Sequence, residues 1–310
     1  MQSALSTEHF HNEAAAFAYV EAKLWPSGPV CKHCGGTTRI GALKGKTTRV
    51  GLYKCYECRK PFTVRMGTVF EASHIPMRFW LQAIYLMASS KKGISTRQLH
   101  RTFGGSMTSS WFMMHRIREA MKTMGVEPMG GEGEIVEIDE TFIGRKQGEM
   151  KRRGYSHKHA VMSLVERRPE GACIRSFHVS GTAAADLLPV IRVHVSPETR
   201  VMTDEAGQYS RLNKFFAAHD FTNHSAGEYV RGDVHINTAE GYYSVFKRGM
   251  VGIYQHCGEQ HLHRYVSEFD FRYNTRVRLG IDDKERADLI VVGAKGKRLT
   301  YRTTVAQAGA

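Results

Sequence analysis

Residues 134–144 read EIVEIDETFIG, an alternation that sets Val136 and Ile138 on one side of a strand and Glu137 and Asp139 on the other. Residues 157–166 (HKHAVMSLVE) and 172–181 (ACIRSFHVSG) read as the next two strands, followed by a helix over about 183–195 and a fourth strand at 200–205, RVMTDE. A helix over about 208–217, a short fifth strand near Phe221 and helices over about 237–250 and 259–277 complete the segment. Three strands, a helix and a further strand predict a mixed sheet flanked by helices.

The central strands of such a sheet run side by side, so Asp139 and Asp204 at the end of RVMTDE can converge on one hydrated divalent cation. Paired carboxylates completed by phosphate oxygens suit magnesium. Residues 235–249, HINTAEGYYSVFKRG, offer a third ligand. Asn237 and Glu240 lie three apart on one helix face, with Lys247 seven beyond Glu240 on the same face. Either Asn237 or Glu240 could complete the set. Glu137, Glu140 and Glu205 read as supporting or solvated acids.

Four of the six cysteines form two C-x-x-C pairs, Cys31/Cys34 and Cys55/Cys58, which is zinc-ribbon spacing. Residues 30–65 hold too few apolar side chains to fold unaided, so a tetrahedral Zn2+ is the expected staple. His33 lies inside the first knuckle as a solvent- or phosphate-facing side chain, and Cys173 and Cys257 are isolated.

Residues 94–121 read helix, Gly-Gly turn, helix, with Leu99, Phe103, Trp111, Met114 and Met121 inward. As a helix-turn-helix, the start of its second helix would present Ser109, Ser110, Met113 and Arg116 to base edges, with Arg118 on the same basic outer face as Arg97 and Arg101. Net charge is +14, and residues 1–130 hold 18 Lys and Arg against 7 Asp and Glu. A polyanion is therefore the expected partner, held mainly by this first part.

The segment GVEPMGGEG at 125–133 marks the main boundary. The expected division is 1–70, an N-terminal helix and zinc ribbon; 71–128, a helical DNA-binding region; 129–280, the mixed-sheet domain; and 281–310, a basic tail containing GAKGKR. There is no uncharged apolar run of about 18 residues, and MQSALSTEHFHNE lacks the pattern of a signal peptide. The expectation is a cytoplasmic protein with no membrane partner.

VCKHCGG with YKCYECRKPFTVRMGTVFEASHIPMRFWLQAIYLM, then EIVEIDETFIGRK, VMTDEAGQY and HINTAEGYYSVFKRGMVGIYQHCGEQHLHRYVSEFDFRYNTR, together with GKRLTYR, span nearly the whole chain. In this combination the chain resembles insertion-sequence transposases with a zinc-ribbon head and an acidic DDE core of ribonuclease H-like fold. The resemblance implies an α+β protein in which Asp139, Asp204 and Glu240 form the triad and Lys247 is the basic residue after the third acid. It also implies Mg2+ (or Mn2+) in the core and Zn2+ in the ribbon. Partners would be the element ends and target DNA, bound by a homo-oligomer near a prokaryotic nucleoid, with Lys247 and Arg248 against phosphates. Relatives differ at the third ligand, some carrying Asn, and Gly241-Tyr242-Tyr243-Ser244 stands where Trp is usual. Competing readings are a tyrosine or serine recombinase, a domesticated DNA-binding protein that does not cut, and a ribonuclease H-like host nuclease.

Overall fold

A computed structural model describes residues 3–123, 127–151 and 153–300. They form two compact units, one comprising the chain up to Lys122 and again from Asp282, the other Thr123–Ile281.

The first unit begins with α1 (Glu13–Leu24), capped by the Asn12 side chain and burying Ala16, Phe17, Val20 and Leu24. Three very short antiparallel strands follow: β1 (Ile40–Ala42), β2 (Tyr53–Cys55) and β3 (Pro61–Phe62). Gly51 lies at φ +69°, and a side chain there would run into the Phe17 ring, so α1 and the ribbon meet across a glycine. Next come α2 (Met77–Ser89), α3 (Thr96–Phe103) and α4 (Met107–Met121). The Glu13 carboxylate accepts from Met77 N at 2.7 Å and Arg78 N at 3.2 Å, closing the start of α2 from α1.

The second unit is built on β4 (Ile135–Ile143), β5 (His159–Arg167), β6 (Cys173–Val179), α5 (Ala184–His194), β7 (Arg200–Asp204), β8 (Ala218–Thr222), α6 (Asn237–Gly249) and α7 (Glu259–Asn274). Strand order is β6-β5-β4-β7-β8. The β4–β5 and β5–β6 pairs are antiparallel, whereas β4–β7 and β7–β8 are parallel. This is the ribonuclease H-like mixed sheet. One face buries Val136, Ile138, Met162, Leu164 and Val201 with Leu187 and Ile191 of α5. The other buries Val161, Val165 and Ile174 with Tyr242, Tyr243 and Phe246 of α6 and Leu262, Val266 and Phe269 of α7. Covered on both faces, β5 is buried from His159 to Glu166, which is why its sequence reads as a near-continuous run.

Two expectations are corrected. The helix anticipated over 208–217 is a pair of 3-10 turns, Gly207–Tyr209 and Leu212–Lys214. Tyr209 of the first and Leu212 of the second both enter the core. Nor do residues 282–300 form a separate tail, for α8 (Asp283–Gly293) packs on α1, α2 and α4. GAKGKR, expected to be mobile, is pinned: Gly296 N donates to Gly67 O at 2.9 Å and Lys297 Nζ to Ala120 O at 3.1 Å. Gly125 and Val126 of the expected linker, and Tyr301 onward in the expected tail, lie outside the described residues. The ribbon and the helical region, expected as separate segments, share the first unit with α8.

Candidate active site and zinc centre

β4 and β7 pair in parallel with Glu137 opposite Met202. Carried on by two residues, that register sets Asp139 level with Asp204, the last residue of β7. Burial raises the Asp139 carboxyl to about 8; the N–H of Glu140 opposes this, and the charges of Glu140, Asp204 and Glu240 add to it. Glu240 stands in the first turn of α6, which packs against β4, and its charge is felt at Asp139. Burial also lifts Glu140 to about 7, with the Asp204 charge contributing, although Gln208 Nε2 donates to it at 3.3 Å. Four acids therefore lie near enough for their charges to act on Asp139 and Glu140.

Hard carboxylate oxygens in mutual repulsion are a donor set that fits Mg2+. The three oxygens are not among the ligand sets gathered within 4.8 Å in the described residues, a spread wider than one ion's shell. Along α6, Asn237, Glu240, Ser244, Lys247 and Arg248 form one exposed stripe, so the third acid and both cations face solvent together. Arg248 Nε is turned back to Ser244 O at 2.9 Å.

Cation binding must displace protons from this cluster. A carboxyl raised to about 8 favours the folded state at low pH, and that contribution is lost as pH rises from its ordinary value through 8. A bound cation reverses the cost, so Mg2+ affinity should strengthen between pH 6 and 8 by up to about tenfold per unit for each proton released. Calorimetric titration at several pH values checks this; a flat affinity over that range contradicts it.

Glu137, set aside as a supporting acid in the sequence, organises the helix that carries Glu240. It is fully buried, and its carboxylate accepts from Thr238 N at 3.0 Å, Ala239 N at 3.0 Å and Thr238 Oγ1 at 2.8 Å. Ile236, the residue preceding α6, supplies no side-chain cap, so the strand bearing Asp139 caps the helix bearing Glu240. Arg167 balances the charge, its Nε donating to Glu137 at 2.7 Å and its other nitrogens to Asp233 O and His235 O at 2.7 Å. Tyr243 adds a second tie through its hydroxyl to Asp139 O at 2.5 Å. Glu137→Gln would leave Arg167 without its counter-charge, and the unit should lose on the order of 3 kcal/mol of stability. Urea unfolding monitored in the second unit tests that; an unchanged midpoint would remove the cap from the account.

Glu205, beside Asp204, is occupied elsewhere. Ser225 hydrogen bonding, with the His224 N–H, holds its carboxyl down to about 2 and secures the loop after β8.

The four cysteines of the ribbon are free thiols that meet in two contacts, Cys31 Sγ to Cys58 Sγ and Cys34 Sγ to Cys55 Sγ, each 3.6 Å. Sulfurs about 2.3 Å from a tetrahedral Zn2+ stand close to this far apart, so the set fits that ion. His33 points away, its Nε2 lying 3.2 Å from Pro61 O.

α3 and α4 are joined by Gly104, Gly105 and Ser106, whose side chain caps α4 through Ser109 N. Of the side chains expected at base edges, Ser109 is exposed, while Ser110, Met113 and Arg116 are buried, as is Arg118. The outer basic face is corrected accordingly: Arg116 Nη1 donates to Val69 O at 3.0 Å and Glu71 O at 2.8 Å, and its Nε to Leu299 O at 3.1 Å. Arg97 and Arg101 of α3 remain exposed.

Residues 131–274 match the family model of the ISXO2-like transposase domain, and residues 11–61 that of the transposase zinc-ribbon domain. Over 266 residues the chain is 26% identical to an uncharacterized protein in transposable element ISH50 of Halobacterium salinarum, covering 80% of this chain and 86% of that protein. The matched ranges take in the four clustered cysteines and the strands and helix that carry the acids.

Proposed function

We infer that this chain, which belongs to the insertion-sequence transposases with a zinc-ribbon head and an ISXO2-like core, binds the ends of its element and catalyses DNA strand cleavage and strand transfer. What supports the reading is that Asp139 and Asp204 stand level on neighbouring parallel strands, with the charge of Glu240, on the helix that Glu137 caps, felt at Asp139.

Asp139, Asp204 and Glu240 would hold the metal, and a pair of Mg2+ (or Mn2+) ions supplies activation of the attacking oxygen and stabilisation of the leaving one. Lys247 and Arg248, on the same exposed stripe as Glu240, neutralise the scissile phosphate's neighbours. Water first releases a 3′-hydroxyl at the element end. That hydroxyl then attacks a target phosphodiester in the same site, its oxygen forming the new P–O bond as the target's own 3′-oxygen leaves and takes up the proton, so one phosphodiester replaces another without a protein-linked intermediate. Electrostatic attachment of the ends falls to the basic first unit, with Ser109, Arg97 and Arg101 as its exposed helical contacts. Joining two ends requires at least two copies of the site, hence a homo-oligomer on DNA at the nucleoid of the cytoplasm. Among the described residues, no helix is long and apolar enough to cross a membrane.

The acids favour this reading over a DNA-binding descendant that does not cut, because binding alone gains nothing from carboxylates that repel phosphate. The test is incubation of the protein with DNA carrying the element's flanking inverted repeats, plus Mg2+. A new 3′-hydroxyl at the repeat boundary, followed by joining to a plasmid, is expected. Specific binding with no cleavage in Mg2+ or Mn2+ would leave the non-cutting descendant in its place.

A further inference from the structure

We propose that His159, His178 and Glu259 form a second transition-metal site, taking Zn2+, separate from both the cysteine cluster and the acids of the sheet. His159 opens β5, His178 lies near the end of β6, and Glu259 is the first residue of α7. Their ligand atoms all lie within 4.8 Å of one another. Glu259 Oε1 stands 3.8 Å from His159 Nδ1 and 3.9 Å from His178 Nε2. Those separations exceed a hydrogen bond, which runs to about 3.2 Å. They come within a few tenths of the roughly 3.4 Å that separates two ligands sharing one tetrahedral ion at about 2.1 Å. Rotation of Glu259, whose side chain is 57% exposed, closes the difference.

The second observation is an orphan. His159 is 4% exposed, and its Nδ1 has no hydrogen-bond partner. A buried ring nitrogen without a partner costs free energy unless something answers it. Here it faces a carboxylate, that of Glu259, which could share an ion with it. Two imidazoles and a carboxylate are a three-ligand zinc set that leaves a fourth position for water.

The site lies away from the catalytic acids. His159 pairs with Ile143, four residues beyond Asp139 along β4, or roughly 13 Å at strand rise. Its effect would be to fasten the start of α7 to the β5–β6 pair, fixing the turn that leads out of α6.

Metal counting tests this without DNA and without Mg2+-dependent chemistry, so it stands or falls apart from the proposed reaction. Full-length protein reconstituted with Zn2+ in excess Mg2+, then freed of loose metal, should carry about two zinc ions per chain. Glu259→Gln, at an exposed position that leaves the fold intact by circular dichroism, should carry about one. His178→Ala should do the same. In the Co2+-substituted protein, the ion lost from these variants should contribute ligand-field bands without thiolate charge transfer. One zinc in the wild type, or two retained in both variants, overturns the site.

Discussion

Asp139→Asn should abolish strand cleavage and strand transfer, by about a thousandfold or more, while the protein stays folded and still binds element ends. The loss corresponds to some 4 kcal/mol of barrier, the scale of removing one electrostatic support from a transition state. Stability moves the other way. Because burial and neighbouring acids raise Asp139 to about 8, its ionisation opposes folding as pH climbs towards that value. Asn carries no such cost, so at pH 8 in metal-free buffer the variant should melt at or above the wild-type temperature. A fold defect would instead lower melting and activity together. Asp204→Asn and Glu240→Gln should behave alike in cleavage, whereas Asn237→Ala should cut nearly normally. If Glu240→Gln cuts and Asn237→Ala does not, the third ligand has been misassigned; if all of them cut, the acids are not the catalytic centre. Gel-shift and single-turnover cleavage assays on the same preparations separate these outcomes.

The sheet was legible because its signals are local. EIVEIDETFI alternates, HAVMSLVE is apolar nearly throughout, and both patterns report which faces are covered. The cysteines were legible for a similar reason, two short knuckles being a spacing rather than a contact. Arg116 and Arg118 were not. A basic helix face in sequence reads as solvated, and the carbonyls that hold Arg116, those of Glu71, Val69 and Leu299, lie 45, 47 and 183 residues away along the chain. A signal for α8 itself was present: Asp282 and Glu285 form a capping box ahead of Ile290 and Val291. Its docking against α4 left no comparable mark. Glu137 shows the same limit in another form. Alternation placed it on the side of Asp139, but only the fold brings the uncapped start of α6 to its carboxylate.

Cys55→Ser should release about one zinc per chain and unfold the ribbon, leaving the sheet-bearing unit intact. The ribbon's own means are slight. Its strands are three, three and two residues long, and its aromatic packing is Trp25 against Tyr53 and Phe62 at ring distances of 5.7 and 5.8 Å. Structural zinc contributes apparent binding free energies on the order of 10 kcal/mol, larger than such packing can replace. Cys55 is fully buried at the end of β2, so a serine there loses the thiolate without gaining solvent. Unfolding should then expose Trp25 and loosen the face of α1 that meets Gly51, while α2, α4 and α8 keep one another covered. Limited proteolysis should cut first within residues 30–65, tryptophan fluorescence should shift red, and binding of element ends should weaken sharply. Zinc loss here must be distinguished from loss at His159, His178 and Glu259: the Cys55→Ser protein should keep the ion that Glu259→Gln releases. Unchanged zinc content and unchanged protease resistance in Cys55→Ser would mean that the four sulfurs, though 3.6 Å apart in pairs, do not share an ion.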